Sequence, residues 1–479
     1  MKKFTALLLV VLMVVSFVPF GAFAATEWTE VKTAEDFAKM TDGKYWLTAD
    51  IDLSKAAWNT IADFKGTLNG NGKTITVPAD APIFDKVSGT VKNVNLKGAM
   101  ALDDADRSAL GIADGSNFYN PLGVLANYAF GATIENVHSA VEFTYVSGRT
   151  AAPADKHYTT IGGLFGAAMA EWKVEGEEGS KAVVLGKSCT ITNVSVAGKI
   201  SADWGNGTNG SRDGFGGLLG AALGNTDVSL AVVSAEMNIA NTAGNKGGIA
   251  GYVKSAYEKG MTGADAMLEK ADIAPTFTDC IFNGSYVLSG NSGERWGGIV
   301  GYARNIVLKN CVNEGSAEGV GNIRGILGYG NRKATTDGDY KLYAENCVAL
   351  NDKGTDVWFE LKCAAGAYSE LKNIPVLAGK TLNSKSGNDI AGLTQTNITE
   401  CADAAAVRSA FLANGASNFE VKDGVLALKA ITFTPEADPF QPDTPVDPAP
   451  TGDMTIALVT VALVSLAAVT VIAKKKVNE

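Results

Sequence analysis

Histidine is nearly missing from this chain: only His138 and His157 occur among 479 residues. Neither sits in an HExxH pair and no GxSxG elbow is present. Histidine-based zinc chemistry and the common serine-hydrolase arrangement therefore lack their residues. Basic charge is also short, with 41 Lys and Arg against 51 Asp and Glu. Once both ends are set aside, residues 25–451 carry a net −13. That field excludes nucleic acid or an anionic surface as partner and favours a neutral glycan, a protein or a cation. Long uncharged apolar runs are confined to the two ends. Six of the 13 prolines fall between Pro435 and Pro450.

At the N-terminus, Lys2 and Lys3 precede the apolar run Ala6–Val15, and Ala22-Phe23-Ala24 has the small-x-small pattern. Residues 1–24 read as a secretory signal, cut between Ala24 and Ala25. At the other end Met454–Ala473 carries no charge over 20 residues, enough to span a bilayer, and Lys474, Lys475 and Lys476 follow. Before it stands "PAPTGD" (448–453). The order resembles the cell-wall sorting signal of Gram-positive surface proteins, with Pro448-Ala449 where that family has Leu-Pro. The resemblance implies that sortase cuts between Thr451 and Gly452 and joins Thr451 to peptidoglycan, the span in 452–479 holding the membrane beforehand. The expected location is extracellular, anchored to the wall or membrane of a Gram-positive bacterium. Residues 434–451 read as a stiff, proline-rich spacer.

Between these ends two motifs alternate. One is glycine-based: "GGLFG" (162–166), "GGLLG" (216–220), "GGIAGY" (247–252), "GGIVGY" (297–302), "GILGYG" (325–330), and more weakly "GVLANY" (123–128). The other centres on Asn93, Asn136, Asn193, Asp279, Asn310 and Asn346. Two positions before each stands an apolar residue; one position after stands Val94, Val137, Val194, Cys280, Cys311 or Cys347. Inward residues three apart break the two-residue alternation of a strand, so the chain must bend between them. Asn and Asp tolerate the left-handed conformation of such a bend. The glycine pairs mark another corner, where φ > 0 or close backbone approach excludes larger residues. From Gly298 through Asn310 to Gly325 is 27 residues, one coil of a stacked solenoid.

"YWLTADIDLS" (45–54) followed by "FKGTLNGNGKTITV" (64–77) resembles the opening coil of pectin-lyase-like β-helices, and the glycine repeats resemble the GLUG motif of bacterial surface proteins. The expected fold is all-β, a right-handed parallel β-helix over 25–350 with an asparagine ladder along one edge. "TAEDFAKM" (33–40) reads as a short capping helix, with Thr33 and Asp36 in a capping-box arrangement and Phe37 and Met40 over the open end. Insertions are expected at 101–122, 167–188, 201–214, 253–276 and 331–341. Beyond 350 the glycine rhythm fades, and 351–433 reads as a small α+β cap or domain with a helix over 402–415.

Stacked in the coil interior, Cys280, Cys311 and Cys347 read as buried free thiols, because parallel Cβ vectors suit a disulfide poorly. Cys363 and Cys401 lie outside that column, and their pairing stays open. No catalytic residue is assigned. The β-helix resemblance implies that lyases would use acidic calcium ligands and glycosidases paired acids. The nearest acids are Asp103, Asp104 and Asp106, with Asp203 and Asp213 in a second loop. Neither group has EF-hand spacing, so no cofactor is expected and calcium is only a weak option. Trp172, Trp204 and Trp296 are the candidate ligand contacts, since an exposed indole can stack on a sugar or anchor a protein; each could equally fold over its own loop. The leading expectation is an adhesin-like or ligand-binding surface β-helix that meets glycan or protein through its insertions. A polysaccharide lyase or hydrolase on the same scaffold, and a purely structural spacer, are the alternatives.

Overall fold

The structure is a computed structural model. It describes residues 27–440 apart from 56, 104–118, 148–157, 176–181, 206–212, 242–243, 255–273, 290–295, 319–323, 333–340, 352–355, 364–367, 384–392 and 432–435. The signal segment, the Thr451–Gly452 motif and the apolar run 454–473 lie outside the described residues. Among the described residues no helix is long and apolar enough to cross a membrane.

The described strands form a parallel β-helix. A 20-stranded long sheet, a 10-stranded second sheet and a 5-stranded third sheet run along the stack. One coil passes through Gly214–Gly216 in the third sheet and Leu219–Leu223 in the second. It then enters the long sheet through Thr226–Val233 and Glu236–Ala240. The next coil repeats the path in register, with Gly216 opposite Gly247, Leu219 opposite Ala250 and Val228 opposite Phe277. Each coil alone exposes apolar surface; stacking buries it as one continuous core.

The asparagine positions are bends within long-sheet strands. Asn93, Asn136, Asn193, Asp279, Asn310 and Asn346 have φ between 50 and 58°. Each bend turns two residues inward, as with Val91 and Val94 or Ile134 and Val137, all at most 1% exposed. The amides then pass a hydrogen bond from coil to coil: Asn93 Nδ2 donates to Asn69 Oδ1 at 3.0 Å, Asn136 to Asn93 at 2.9 Å, and Asn193 to Asn136 at 3.0 Å. A second run links Asn310 to Asp279 and Asn346 to Asn310, both at 2.8 Å.

At the glycine corners, crowding rather than positive φ excludes side chains. A Cβ on Gly216 would overlap the Leu219 carbonyl, and one on Gly298 would overlap the Gly325 carbonyl and the Asn313 amide. The third-sheet strands thereby lie backbone against backbone on the second sheet.

At the N-terminal end, α1 (Ala34–Ala38) carries the complete capping box between Thr33 and Asp36. Its Phe37 is fully buried, 6.0 Å from Phe84 and 5.9 Å from Trp58 between ring centroids. This seals the first coils.

The coils do not stop at residue 350. Tyr343 pairs with Glu370 and Glu370 with Thr394, while Val376 pairs with Glu400, all parallel. These coils bend at Asn373 and Asn397 (φ 53 and 54°) without glycine pairs, which is why the glycine rhythm fades before the stack ends. Among the described residues beyond 350, only the stretch after Cys401 departs from the coil path. There α2 (Ala404–Ala413) is capped by Asp403, whose carboxylate accepts from the Ala406 N–H. An antiparallel hairpin, Phe419–Lys422 with Val425–Leu428, follows. Val407, Phe411, Phe419 and Leu426 pack on Ile281, Val312 and Val348, on the outer flank of the long sheet. The expected 351–433 unit is thus mostly coil, and its remainder clasps the side of the stack.

Candidate functional site

Insertions between strands fall at two edges: those expected over 167–188, 253–276 and 331–341 lie between the second sheet and the long sheet, and a second group lies between the long sheet and the third sheet. The segments 104–118, 148–157, 206–212, 242–243, 290–295 and 319–323 each join the far end of the long sheet to the start of the third sheet or of its continuation. Their departure points stack in register: Asp103 opposite Val146, Val146 opposite Asp203, Asp203 opposite Ala240, and Ala240 opposite Ser289. Return points do the same, with Tyr119 opposite Tyr158, Thr160 opposite Gly214, and Gly214 opposite Asn245. Five successive coils therefore open along one line of about 19 Å, at one strand spacing per coil, and a sixth stacks on them with Ser316 opposite Ser285. Four of these openings, at 148–157, 242–243, 290–295 and 319–323, are not distinguished by the sequence pattern. In the other direction, the insertion expected over 101–122 is narrower, because Thr90–Asp103 is one strand with Met100 and Leu102 buried. The insertion expected over 167–188 contains an antiparallel hairpin, Trp172–Glu175 with Ala182–Leu185.

Beneath that edge lie aromatic rings and buried polar groups. Trp204 is 1% exposed, edge-on to Tyr145 at 6.1 Å and to Phe215 at 6.0 Å. Trp296 is 1% exposed and edge-on to Tyr286 at 5.7 Å, while the Tyr286 hydroxyl donates to the Gly297 carbonyl. These two indoles offer no face to a ligand, which corrects the expectation that they are contacts. Each covers the core where a coil opens, so burial of apolar area decides their placement. Trp172 begins the hairpin strand noted above.

Lys246 is fully buried on the third sheet, in register between Phe215 and Trp296, in a row that begins with Leu122 and Ile161. Its Nζ stands 4.3 Å from the Trp296 ring centroid, a cation–π contact. Asp213, 3% exposed, accepts from the Thr159 N–H through Oδ1, and its carbonyl accepts from Asn245 Nδ2. Asp203 Oδ1 accepts from Gly205 N and Asn241 Nδ2. The two acids of this loop thus brace backbone and amide groups. Asp104 and Asp106 lie outside the described residues. Among the described residues no group of three or more His, Cys, Asp or Glu is placed to hold a metal ion.

On the outer face of the long sheet, His138 bridges two coils. Its Nε2 lies 2.9 Å from Asn136 Oδ1 and its Nδ1 lies 2.9 Å from Ser195 Oγ. Since the amide oxygen can only accept, Nε2 carries the proton and Nδ1 accepts from the serine. The topology matches a nucleophile, base and orienting amide. Burial, however, lowers the imidazole to about 4, too weak a base to activate a hydroxyl near neutrality. The trio ties coils together.

Cys189, Cys280, Cys311, Cys347 and Cys401 are free and buried, and the Cys363 side chain lies outside the described residues. Burial pushes the Cys189 thiol up to about 12 and those of Cys311 and Cys347 well above the ordinary range. Thiols in that state are inert.

No family model and no curated protein matches the chain. A solved structure of a candidate immunoglobulin A1 protease from Bacteroides ovatus is 12% identical, covering 85% of this chain and 93% of its own, with a TM-score of 0.37. At that level neither mechanism nor substrate passes from it to this protein.

Proposed function

We propose that this is a secreted, surface-tethered β-helix that binds an extracellular glycan or protein through the loops along its insertion edge. The observation that carries the reading is the in-register opening of five successive coils on one line. A rigid stack with variable loops gathered on one edge is a common way to build an extended recognition surface. The strong negative charge of the ectodomain favours neutral or cationic partners. Trp172, on the hairpin between the second sheet and the long sheet, is a candidate contact outside that edge. Export through residues 1–24 and tethering through 452–479, with Thr451 joined to peptidoglycan, place this edge outside the cell. The GLUG-like glycine repeats fit a surface protein of this kind.

The test is a binding panel of glycans, matrix proteins and wall polymers, run beside a polysaccharide-cleavage assay that monitors unsaturated products and new reducing ends. Saturable binding without cleavage is expected. Cleavage without binding across the panel would replace this reading with an enzyme on the same scaffold. Tethering is tested separately: Thr451→Ala should shift the protein out of the fraction released by muralytic digestion.

A further inference from the structure

The asparagine ladder has a missing rung. Leu230 lies opposite the bend residues Asn193 and Asp279, since Ala231 pairs with Val194 and with Cys280. It adopts φ 53°, the left-handed conformation that disfavours a branched apolar side chain. Leucine has no amide to pass the hydrogen bond on. Below it the ladder ends at Asn193, and above it a new run begins at Asp279. A carboxylate suits that first rung because it has nothing to donate toward Leu230. Its oxygens accept instead, Oδ1 from Asn310 and Oδ2 from Asn418 at 2.7 Å.

The outer face changes at the same coil. One register column reads Asn95, His138, Ser195, Val232, Ile281, Val312, Val348. It turns from polar to apolar as it passes the Leu230 coil. The C-terminal unit covers the apolar part, and Arg408 pairs with Glu314 at 2.8 Å while Asn346 Nδ2 donates to the Phe411 carbonyl. The chain then returns to the first coils, where Glu436 accepts from Asn69 Nδ2 at 3.2 Å and pairs with Lys92. One C-terminal segment thus touches the stack on both sides of the missing rung.

We propose that the solenoid consists of two cooperative blocks meeting at the Leu230 coil, and that the C-terminal segment is a brace which fastens the first block to the second. Repeat stacks unfold in blocks wherever one neighbour interface is weaker than the rest. Release of the brace at Glu436 loosens the N-terminal block while the clasped block stays intact.

Hydrogen exchange of the full chain, followed by mass spectrometry across a mild denaturant series, tests this. Peptides from 67–196 should lose protection at least tenfold faster than peptides from 276–428. Leu230→Asn, which supplies the missing amide, should close that gap. Leu230→Gly, which relieves the backbone without an amide, should leave it open. Glu436→Gln should widen it by speeding exchange in 67–196 alone. Uniform exchange of both blocks in the unaltered chain would overturn the proposal. So would equal acceleration of both blocks in Glu436→Gln, a result that does not depend on the Leu230 variants folding.

Discussion

The Lys246 ammonium faces the Trp296 ring at 4.3 Å, in a third-sheet row whose neighbouring coils place Phe215 and Ile161. A charge in such a row is costly unless partners compensate it, and the indole face is one of them. Trp296→Leu should therefore destabilise by about 3 kcal/mol through lost packing and lost cation–π attraction. In Lys246→Met the same substitution should cost about 1 kcal/mol less, because only packing remains to lose. Chemical denaturation of the four chains in this cycle reads the coupling. Strict additivity would show that the ring does nothing for the charge.

Asn136 both donates to Asn93 and accepts from Asn193 and His138. Asn136→Ala removes these bonds and leaves alanine in a left-handed bend, which should cost about 3 kcal/mol. Asn136→Gly, which relieves the backbone alone, should recover about 1 kcal/mol of that. Equal midpoints for the two variants in urea would show that conformation contributes nothing at this rung.

Acid should weaken the stack through His138. Its folded value of about 4 lies below the ordinary histidine value, so the unfolded chain binds more protons between pH 6.5 and 4. The stabilisation is complete above pH 6.5 and is lost as pH falls toward 4. It amounts to about 2 kcal/mol for this half-buried ring. The difference in stability between the unaltered chain and His138→Gln should shrink across that window. A constant difference would place the folded imidazole near its unperturbed value.

Cys280, Cys311 and Cys347 should resist alkylation at pH 8 in the native chain and react once it unfolds, since all three are covered and burial also holds the Cys311 and Cys347 thiols protonated. Cys311→Val, which mimics earlier coils, should cost under about 1.5 kcal/mol, and Cys311→Ser about 2. Rapid labelling of the native protein would contradict the packing role.

Much of this fold was legible because its bends demand particular residues. Asparagine stands at the left-handed bends and glycine where two backbones touch, so their spacing maps the coils directly. The Thr33–Asp36 box marked the cap for the same reason. Where another residue takes the bend, the signal fails: the coil marked by "GGLLG" (216–220) shows no asparagine at its bend, because Leu230 stands there. Asn373 and Asn397 went unrecognised because no glycine pairs accompany them. The burial of Trp204 and Trp296 is not legible in the sequence, because exposure at a coil opening depends on rings brought in from elsewhere in the stack, Tyr145 and Tyr286 among them. The clasp by α2 and its hairpin was equally hidden, since Ile281, Val312 and Val348 read as ordinary strand residues until their outward column is assembled.

The insertion edge carries the functional claim, and loop replacement tests it most directly. Short Gly-Ser turns would replace 104–118, 148–157, 206–212 and 290–295 in the full chain, with β-structure checked by circular dichroism. The partner found in the binding panel should then lose at least tenfold in affinity while the stack stays folded. Undiminished binding by the folded, loop-shortened chain would contradict the account and move the site to the flat faces of the coils.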